Sequence, residues 1–111
     1  MENTIVEKDN ITIIRLDGEI DVTMAPRLKK LFQETIESGK NRILVDLEKV
    51  EFIDSSGLGI LVVAFKLAKA KKGALVFANP GAQVLKTIQL TRLDKHFEIF
   101  DSIDKAMMSL Q

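Results

Sequence analysis

Residues 53–61 read Ile53-Asp54-Ser55-Ser56-Gly57-Leu58-Gly59-Ile60-Leu61. The run that continues from Leu58 to Lys72 is too long and too unbroken for a strand, so we predict a helix there. Its first half is apolar on nearly all sides, and lysines crowd its end, where cations complement the helix dipole: Lys66, Lys69, Lys71 and Lys72. The quoted stretch therefore lies at a strand–loop–helix junction, where open α/β sheets carry functional loops.

The surrounding sequence predicts further strands and helices. In chain order they are a hairpin of strands at 4–8 and 11–17, a helix over 23–38, a strand at 43–45, the helix over 58–72, a strand at 74–78, a helix with Val84, Leu85 and Ile88 on one face, a short strand at 97–100, and a helix with Ile103, Ala106, Met107 and Leu110 on one face. Asp9-Asn10 suits a two-residue turn, Pro26 a first helical turn and Asp101 the N-cap of the last helix. This order predicts an α/β fold, a mixed sheet opened by an N-terminal hairpin with about four helices packed against it.

Length and composition restrict the function further. The chain has 111 residues, 16 Lys plus Arg against 16 Asp plus Glu, and no Cys. These values predict one domain over residues 1–111 and exclude disulfides and thiolate metal ligands. The balanced charge favours neither nucleic acid nor membrane as a partner, and the single His96 cannot form an imidazole metal site alone. We expect no metal, no cofactor and no catalytic residue.

The sequence has no export signal, and its longest apolar run is Ile60–Phe65. We therefore expect a cytoplasmic protein.

The serines of the quoted stretch have two possible roles. In the first, Ser55 or Ser56 caps the helix, and Gly57 and Gly59 allow close packing. In the second, a serine hydroxyl at the helix start carries a phosphoryl group, which the backbone N–H groups and the positive end of the helix dipole tolerate. The sequence contains neither of the nucleotide-binding motifs G-x-x-x-x-G-K-[ST] and G-x-G-x-x-G. It also lacks the G-x-S-x-G elbow of serine hydrolases, so an enzyme is disfavoured.

An acidic group follows the second predicted strand. Glu19 and Asp21 lie there, and at one edge of the sheet they would approach Asp54 and Ser55. Together they would form an anionic patch that a basic protein partner recognises. The lysine cluster at the end of the 58–72 helix is interpreted as a solvated helix end.

The order and spacing of three segments resemble the STAS domain, and more narrowly the bacterial anti-sigma factor antagonists. The segments are 18–21 (Gly-Glu-Ile-Asp), 43–47, and above all 54–59 (Asp-Ser-Ser-Gly-Leu-Gly). The resemblance also includes residues 93–97. It implies a STAS fold. It also implies that Ser55 is phosphorylated by a partner that is both an anti-sigma factor and a serine kinase, and that a metal-dependent serine phosphatase reverses the modification.

The resemblance further implies a non-enzymatic partner switch, in which the unphosphorylated chain binds the anti-sigma factor and frees the sigma factor. We expect a monomer or weak dimer. The predicted partner-binding residues are Glu19, Asp21, Thr23, Asp54, Ser55, Ser56, Gly57 and Leu58. One departure is Met24, where the family usually has Thr, Ser or Asn before the Ala of the first helix. A nucleotide-binding STAS domain and a non-phosphorylated scaffold or transporter-associated subunit are the alternatives.

Overall fold

A computed structural model describes residues 3–111 and contains one five-stranded sheet with four α-helices. The elements in chain order are β1 (Thr4–Lys8), β2 (Ile11–Ile20), α1 (Ala25–Glu37), β3 (Arg42–Ile53), α2 (Ser55–Ala70), β4 (Ala74–Ala78), α3 (Ala82–Leu90), a 3₁₀ turn (Leu93–Lys95), β5 (Ile99–Phe100) and α4 (Ile103–Leu110). The predicted α/β architecture with a mixed sheet and four helices is confirmed.

The sheet has the strand order β1-β2-β3-β4-β5. The first pair is antiparallel and joined by Asp9 and Asn10, whose φ angles of 55° and 65° fit the predicted two-residue turn. The remaining pairs are parallel. Helices α1, α2 and α3 follow parallel strands, so their N-termini lie at the same edge of the sheet as the carboxyl ends of the strands that precede them.

Two hydrophobic cores form on the two faces of the sheet. The larger core lies between the sheet and α1, α2 and α3, and contains Phe32, Leu61 and Phe77. The smaller core lies under α4, whose Ala106, Met107 and Leu110 are buried as predicted. Both faces of the central strands are therefore covered, which explains the continuous apolar run at 43–45.

Several predicted boundaries were wrong. β3 is 12 residues long and continues through the polar residues after Val45 to Ile53, well past the end of β4. α2 begins three residues earlier than predicted, at Ser55. The N-cap of α4 is Ser102, whose hydroxyl oxygen accepts from the Lys105 amide at 3.1 Å, whereas the predicted cap Asp101 forms an ion pair with Lys105.

A buried carboxylate joins the two central strands on the α4 side. Arg15 and Asp46 are register partners, and Arg15 Nε donates to Asp46 Oδ2 at 2.9 Å. The other oxygen of Asp46 accepts from the Glu48 amide at 3.1 Å. Asp46 is 1% exposed, so its charge needs these partners, while Arg15 remains half exposed.

We expect Arg15→Ala to lower the free energy of unfolding by about 1–3 kcal/mol, because Asp46 keeps its burial and loses its cation. Lys105→Ala is the matched control, since it breaks the exposed pair with Asp101 and should cost at most about 1 kcal/mol. Urea unfolding measures both values. Equal losses would contradict this account of Asp46.

Candidate functional site

The candidate site forms where β2 and β3 end side by side. Ile20 and Ile53 are register partners, and the Asp54 amide donates to the Ile20 carbonyl at 3.2 Å. Asp21 and Asp54 are thus the first residues beyond two neighbouring strands. The parallel pairing brings together the two acidic segments that the sequence leaves 33 residues apart.

The start of α2 is capped by Asp54. Its backbone is extended, with φ −105° and ψ −174°, and its Oδ1 accepts from the Gly57 amide at 3.0 Å. The expectation that Ser55 or Ser56 caps this helix was therefore wrong. Ser55 is the first helical residue and is exposed, and Ser56 is half-buried. Because Asp54 supplies the cap, the Ser55 hydroxyl is not required for it.

The two glycines of α2 have different roles. A Cβ on Gly57 would lie 2.5 Å from the Ile20 carbonyl oxygen and 2.7 Å from Ile20 Cγ2, so the close packing expected there is confirmed. A Cβ on Gly59 would meet nothing within 4 Å, and Gly59 is exposed. The packing expectation was wrong for Gly59, since no contact among residues 3–111 requires glycine there.

The loop before α1 is organised by Asp21. Its Oδ1 accepts from the Thr23 hydroxyl at 2.6 Å and from the Thr23 amide at 3.0 Å. The hydroxyl contact, aided by backbone hydrogen bonds and opposed by desolvation, holds the pKa of Asp21 below its ordinary value. These contacts hold Thr23 against the Asp21 carboxylate just before α1.

Met24 occupies the N-cap position of α1 without a side-chain cap. Its side chain instead packs in the larger core, where it is 7% exposed. The Asp21 carbonyl accepts from the Met24 and Ala25 amides at 3.0 and 3.1 Å. The turn formed by Asp21 and Thr23 thus takes over the role of a polar cap residue in starting this helix.

The predicted partner-binding residues divide into exposed and buried sets. Thr23 and Ser55 are exposed and Asp21 and Asp54 partly exposed, all at one edge of the sheet. Glu19 is exposed beside its register partner Phe52, and it lies on the sheet face opposite α2 because its neighbour Ile20 points into the larger core. Gly57 and Leu58 are buried, so they support this surface from beneath.

Three residues around the loop before α1, the exposed face of α2 and the end of β3 were not predicted from the sequence: Val22, Val63 and Gln83. Val22 is 65% exposed in the loop after Asp21, and Val63 is 41% exposed on α2, eight residues after Ser55. Ser55, Gly59 and Val63 follow the i, i+4, i+8 spacing of one helix face, a signal that was available in the sequence. Gln83 of α3 accepts from the Ile53 amide at 3.2 Å, and no sequence pattern indicated that contact.

Charge is unevenly distributed between the two ends of the sheet, although Lys49 and Lys105 lie at the acidic end and Glu7 and Glu37 at the basic end. Carboxylates gather at the carboxyl ends of the parallel strands: Glu19, Asp21, Glu48, Glu51, Asp54, Asp94 and Asp101. Cations gather at the amino ends of β3 and β4 and at the end of α2: Lys40, Arg42, Lys66, Lys69, Lys71 and Lys72. The four lysines near the end of α2 are exposed, in agreement with a solvated helix end, although Lys69 also lies 4.8 Å above the Phe65 ring.

Other kinds of site lack support in the described part of the chain. Residues 3–111 contain no cluster of three or more His, Asp or Glu side chains arranged to hold a metal ion. Within the same range, no helix has the length and apolar character needed to cross a membrane. His96 is exposed after the 3₁₀ turn.

Comparison with known proteins finds a matching family model, related sequences and similar structures. The family model described as STAS domain matches residues 3–106. The anti-sigma-B factor antagonist of Bacillus subtilis (strain 168) is 30% identical over 93 residues, which cover 84% of this chain and 84% of that protein. A crystal structure of an anti-sigma factor antagonist from Mycobacterium paratuberculosis is 27% identical, with a TM-score of 0.90 over 98% of this chain and 92% of that chain.

More distant structures share the fold. The anti-sigma factor antagonist SpoIIAA in its unphosphorylated form is 21% identical with a TM-score of 0.76, over 97% of this chain and 96% of that chain. The Bacillus cell fate determinant SpoIIAA in the phosphorylated form is 21% identical with a TM-score of 0.77, over 99% of this chain and 100% of that chain.

We expect the two α2 glycines to respond oppositely to alanine. Gly57→Ala forces a methyl group against the Ile20 carbonyl and should destabilise the fold by about 1–3 kcal/mol. Gly59→Ala adds a better helix former in open space and should stabilise it by about 0.5–1 kcal/mol. Chemical unfolding of both variants measures the difference, and a destabilised Gly59→Ala protein would show that this glycine has an internal role.

Proposed function

This chain belongs to the STAS domain family, and we propose that it is an anti-sigma factor antagonist switched by phosphorylation of Ser55. In this role the unphosphorylated chain binds an anti-sigma factor that is also a serine kinase, and the sigma factor is released. The observation that carries the proposal is the exposed Ser55 at the first position of α2, with Asp54 rather than a serine acting as the cap.

The start of α2 suits a phosphoserine. A phosphoryl group adds about −1.5 to −2 charges, and the positive end of a helix stabilises an anion placed there. The cap bond from the Gly57 amide to Asp54 does not involve Ser55, so it can persist after modification. SpoIIAA, which shares this fold, has been solved in both unphosphorylated and phosphorylated forms.

The surface around Ser55 explains why the modification would release a partner. Ser55 shares the exposed face of α2 with Gly59 and Val63, and Val22 lies in the neighbouring β2–α1 loop. A partner that covers this uncharged surface removes the Ser55 hydroxyl from water. Burying a dianion in the same place, without a cation to pair it, is strongly unfavourable.

Repulsion adds to this desolvation cost. Two unit charges about 5 Å apart at an effective dielectric of about 20 interact by roughly 3 kcal/mol before salt screening. A partner carboxylate near phosphorylated Ser55 would experience that repulsion. Half of that interaction energy is enough to weaken binding roughly tenfold. Asp21 and Asp54 lie at the edge of the surface around Ser55. They would pair with basic partner residues whether or not Ser55 is phosphorylated.

Gly59 has a specific role in this proposal. A glycine on the exposed face of a helix costs stability, and no contact within the described part of the chain offsets that cost at Gly59. We infer that it allows close approach of the partner backbone one turn beyond Ser55. Within the larger set predicted from sequence, the direct contacts are then Asp21, Thr23, Asp54, Ser55 and Ser56.

The chain itself supplies a surface and a phosphate acceptor and is not an enzyme. The kinase brings ATP and its metal ion, and a metal-dependent serine phosphatase restores the hydroxyl. We place the chain in the cytoplasm, as a single domain that is monomeric or weakly dimeric. A nucleotide-binding role and a scaffold role remain alternatives without an observation that favours them.

We expect the cognate kinase to modify Ser55. After incubation with kinase and ATP, mass spectrometry should locate one phosphoryl group on Ser55. Ser55→Ala should abolish the modification, and Ser56→Ala should retain it because Ser56 is half-buried and lies 100° further round the helix. A phosphoryl group found chiefly on Ser56 would overturn the assignment.

Substitutions at Ser55 and Gly59 should change binding to the anti-sigma factor. Ser55→Asp should keep the circular dichroism spectrum of the wild type and bind the anti-sigma factor roughly tenfold more weakly by calorimetry. Ser55→Ala should bind like the unmodified wild type and stay bound in the presence of ATP. Gly59→Ala should weaken binding while stabilising the free chain.

Ser109→Asp is the matched control, because it adds the same charge on α4, on the opposite side of the sheet. Its affinity should equal that of the wild type. Unchanged binding by fully phosphorylated wild-type protein would show that Ser55 does not control this interaction.

A further inference from the structure

A second concave surface lies away from Ser55, at the carboxyl ends of β4 and β5. It is a groove of about 670 Å³, a size typical of small-ligand sites. The apolar part of its wall comes from Pro80, Leu85, Phe97, Ile99 and Phe100. The Phe97 and Phe77 rings stack with their centroids 4.5 Å apart, which anchors this wall to the larger core.

The polar part of the groove is acidic. Its carboxylates belong to Glu48, Asp94 and Asp101. Asp101 is paired with Lys105 at 2.9 Å, whereas Glu48 and Asp94 take no part in any ion pair among residues 3–111. Asp94 is also half-buried. The groove therefore carries two negative charges that no cation of the described chain neutralises by direct contact.

The backbone at the start of α3 forms another part of the wall. Gly81 is the N-cap, makes no side-chain cap, and would meet nothing within 4 Å if it had a Cβ. Packing among the described residues thus gives no reason for glycine at position 81, and the open backbone leaves room for a ligand. The Asn79 amide donates to the Phe100 carbonyl at 3.0 Å, so the loop that precedes Gly81 is held against β5 and the groove is already formed.

The competing charges decide which ligand fits. The start of α3 contributes roughly half a positive charge, which favours an anion. Glu48 and Asp94 contribute two full negative charges, which outweigh it. The net charge of the groove wall therefore favours a cation.

We propose that this groove binds a small organic cation, an ammonium or guanidinium group on an apolar body. The charged group lies against Asp94 and Glu48, and the apolar body packs on the partly exposed side chains of Pro80, Ile99 and Phe100. This site is separate from the Ser55 surface and does not depend on the function proposed for it.

The test uses the cation 2-phenylethylamine as the probe. It is compared with two molecules that have a similar apolar body, uncharged 2-phenylethanol and the anion phenylacetate. Each is titrated into the full ¹⁵N-labelled chain at low ionic strength. The amine should shift the amide signals of Gly81, Phe97 and Phe100 and bind roughly fivefold or more tightly than the alcohol. Phenylacetate should bind most weakly.

Asp94→Asn should remove most of the amine's advantage over the alcohol, with an otherwise unchanged amide spectrum. Glu37→Gln on α1 makes the same change in net charge away from the groove and should leave the amine's affinity unchanged. Equal binding of amine and alcohol, tighter binding of phenylacetate, shifts confined to other regions, or no binding at millimolar probe would each overturn the proposal.

Discussion

The contact between the start of α2 and the end of β2 is the constraint on which the rest of the site depends. Gly57 lets the helix backbone lie directly against the Ile20 carbonyl, and the same carbonyl accepts from the Asp54 amide. This double contact fixes the direction in which α2 leaves the sheet. With Asp54 held in an extended conformation as the cap, Ser55 becomes the first residue of the helix and is exposed.

Local patterns in the sequence predicted most of the fold. The Asp9-Asn10 turn, the helical spacing of α1 and the buried run at 74–78 each depend on neighbouring residues, and each lies where it was expected. β3 was predicted too short because its second half lacks strand alternation: two exposed residues precede each buried one at Val50 and Ile53. That half is held by pairing with β2 beyond the end of β4. Such pairing depends on residues about 30 positions away, which no local pattern contains.

The candidate site was predictable to a similar extent. The sequence identified Ser55, Asp54 and Asp21 as its charged and hydroxyl groups, and the register of β2 and β3 brings their backbones together. Which residue caps α2 could not be decided, because Asp54, Ser55 and Ser56 are all good cap residues and the choice depends on where β3 ends. The different roles of Gly57 and Gly59 were likewise hidden, since only the position of Ile20 distinguishes them.

The separation of carboxylates from lysines along the sheet has a consequence for encounter kinetics. A chain with zero net charge experiences little overall attraction toward a charged partner, but an excess of carboxylates at one end of the sheet and of cations at the other gives it a dipole moment. In the field of a partner such a molecule experiences a torque, so it arrives with the acidic end foremost when the partner is basic. Its association rate would then fall with ionic strength even though its net charge is zero, as the Debye length shrinks below the 30 Å length of the molecule.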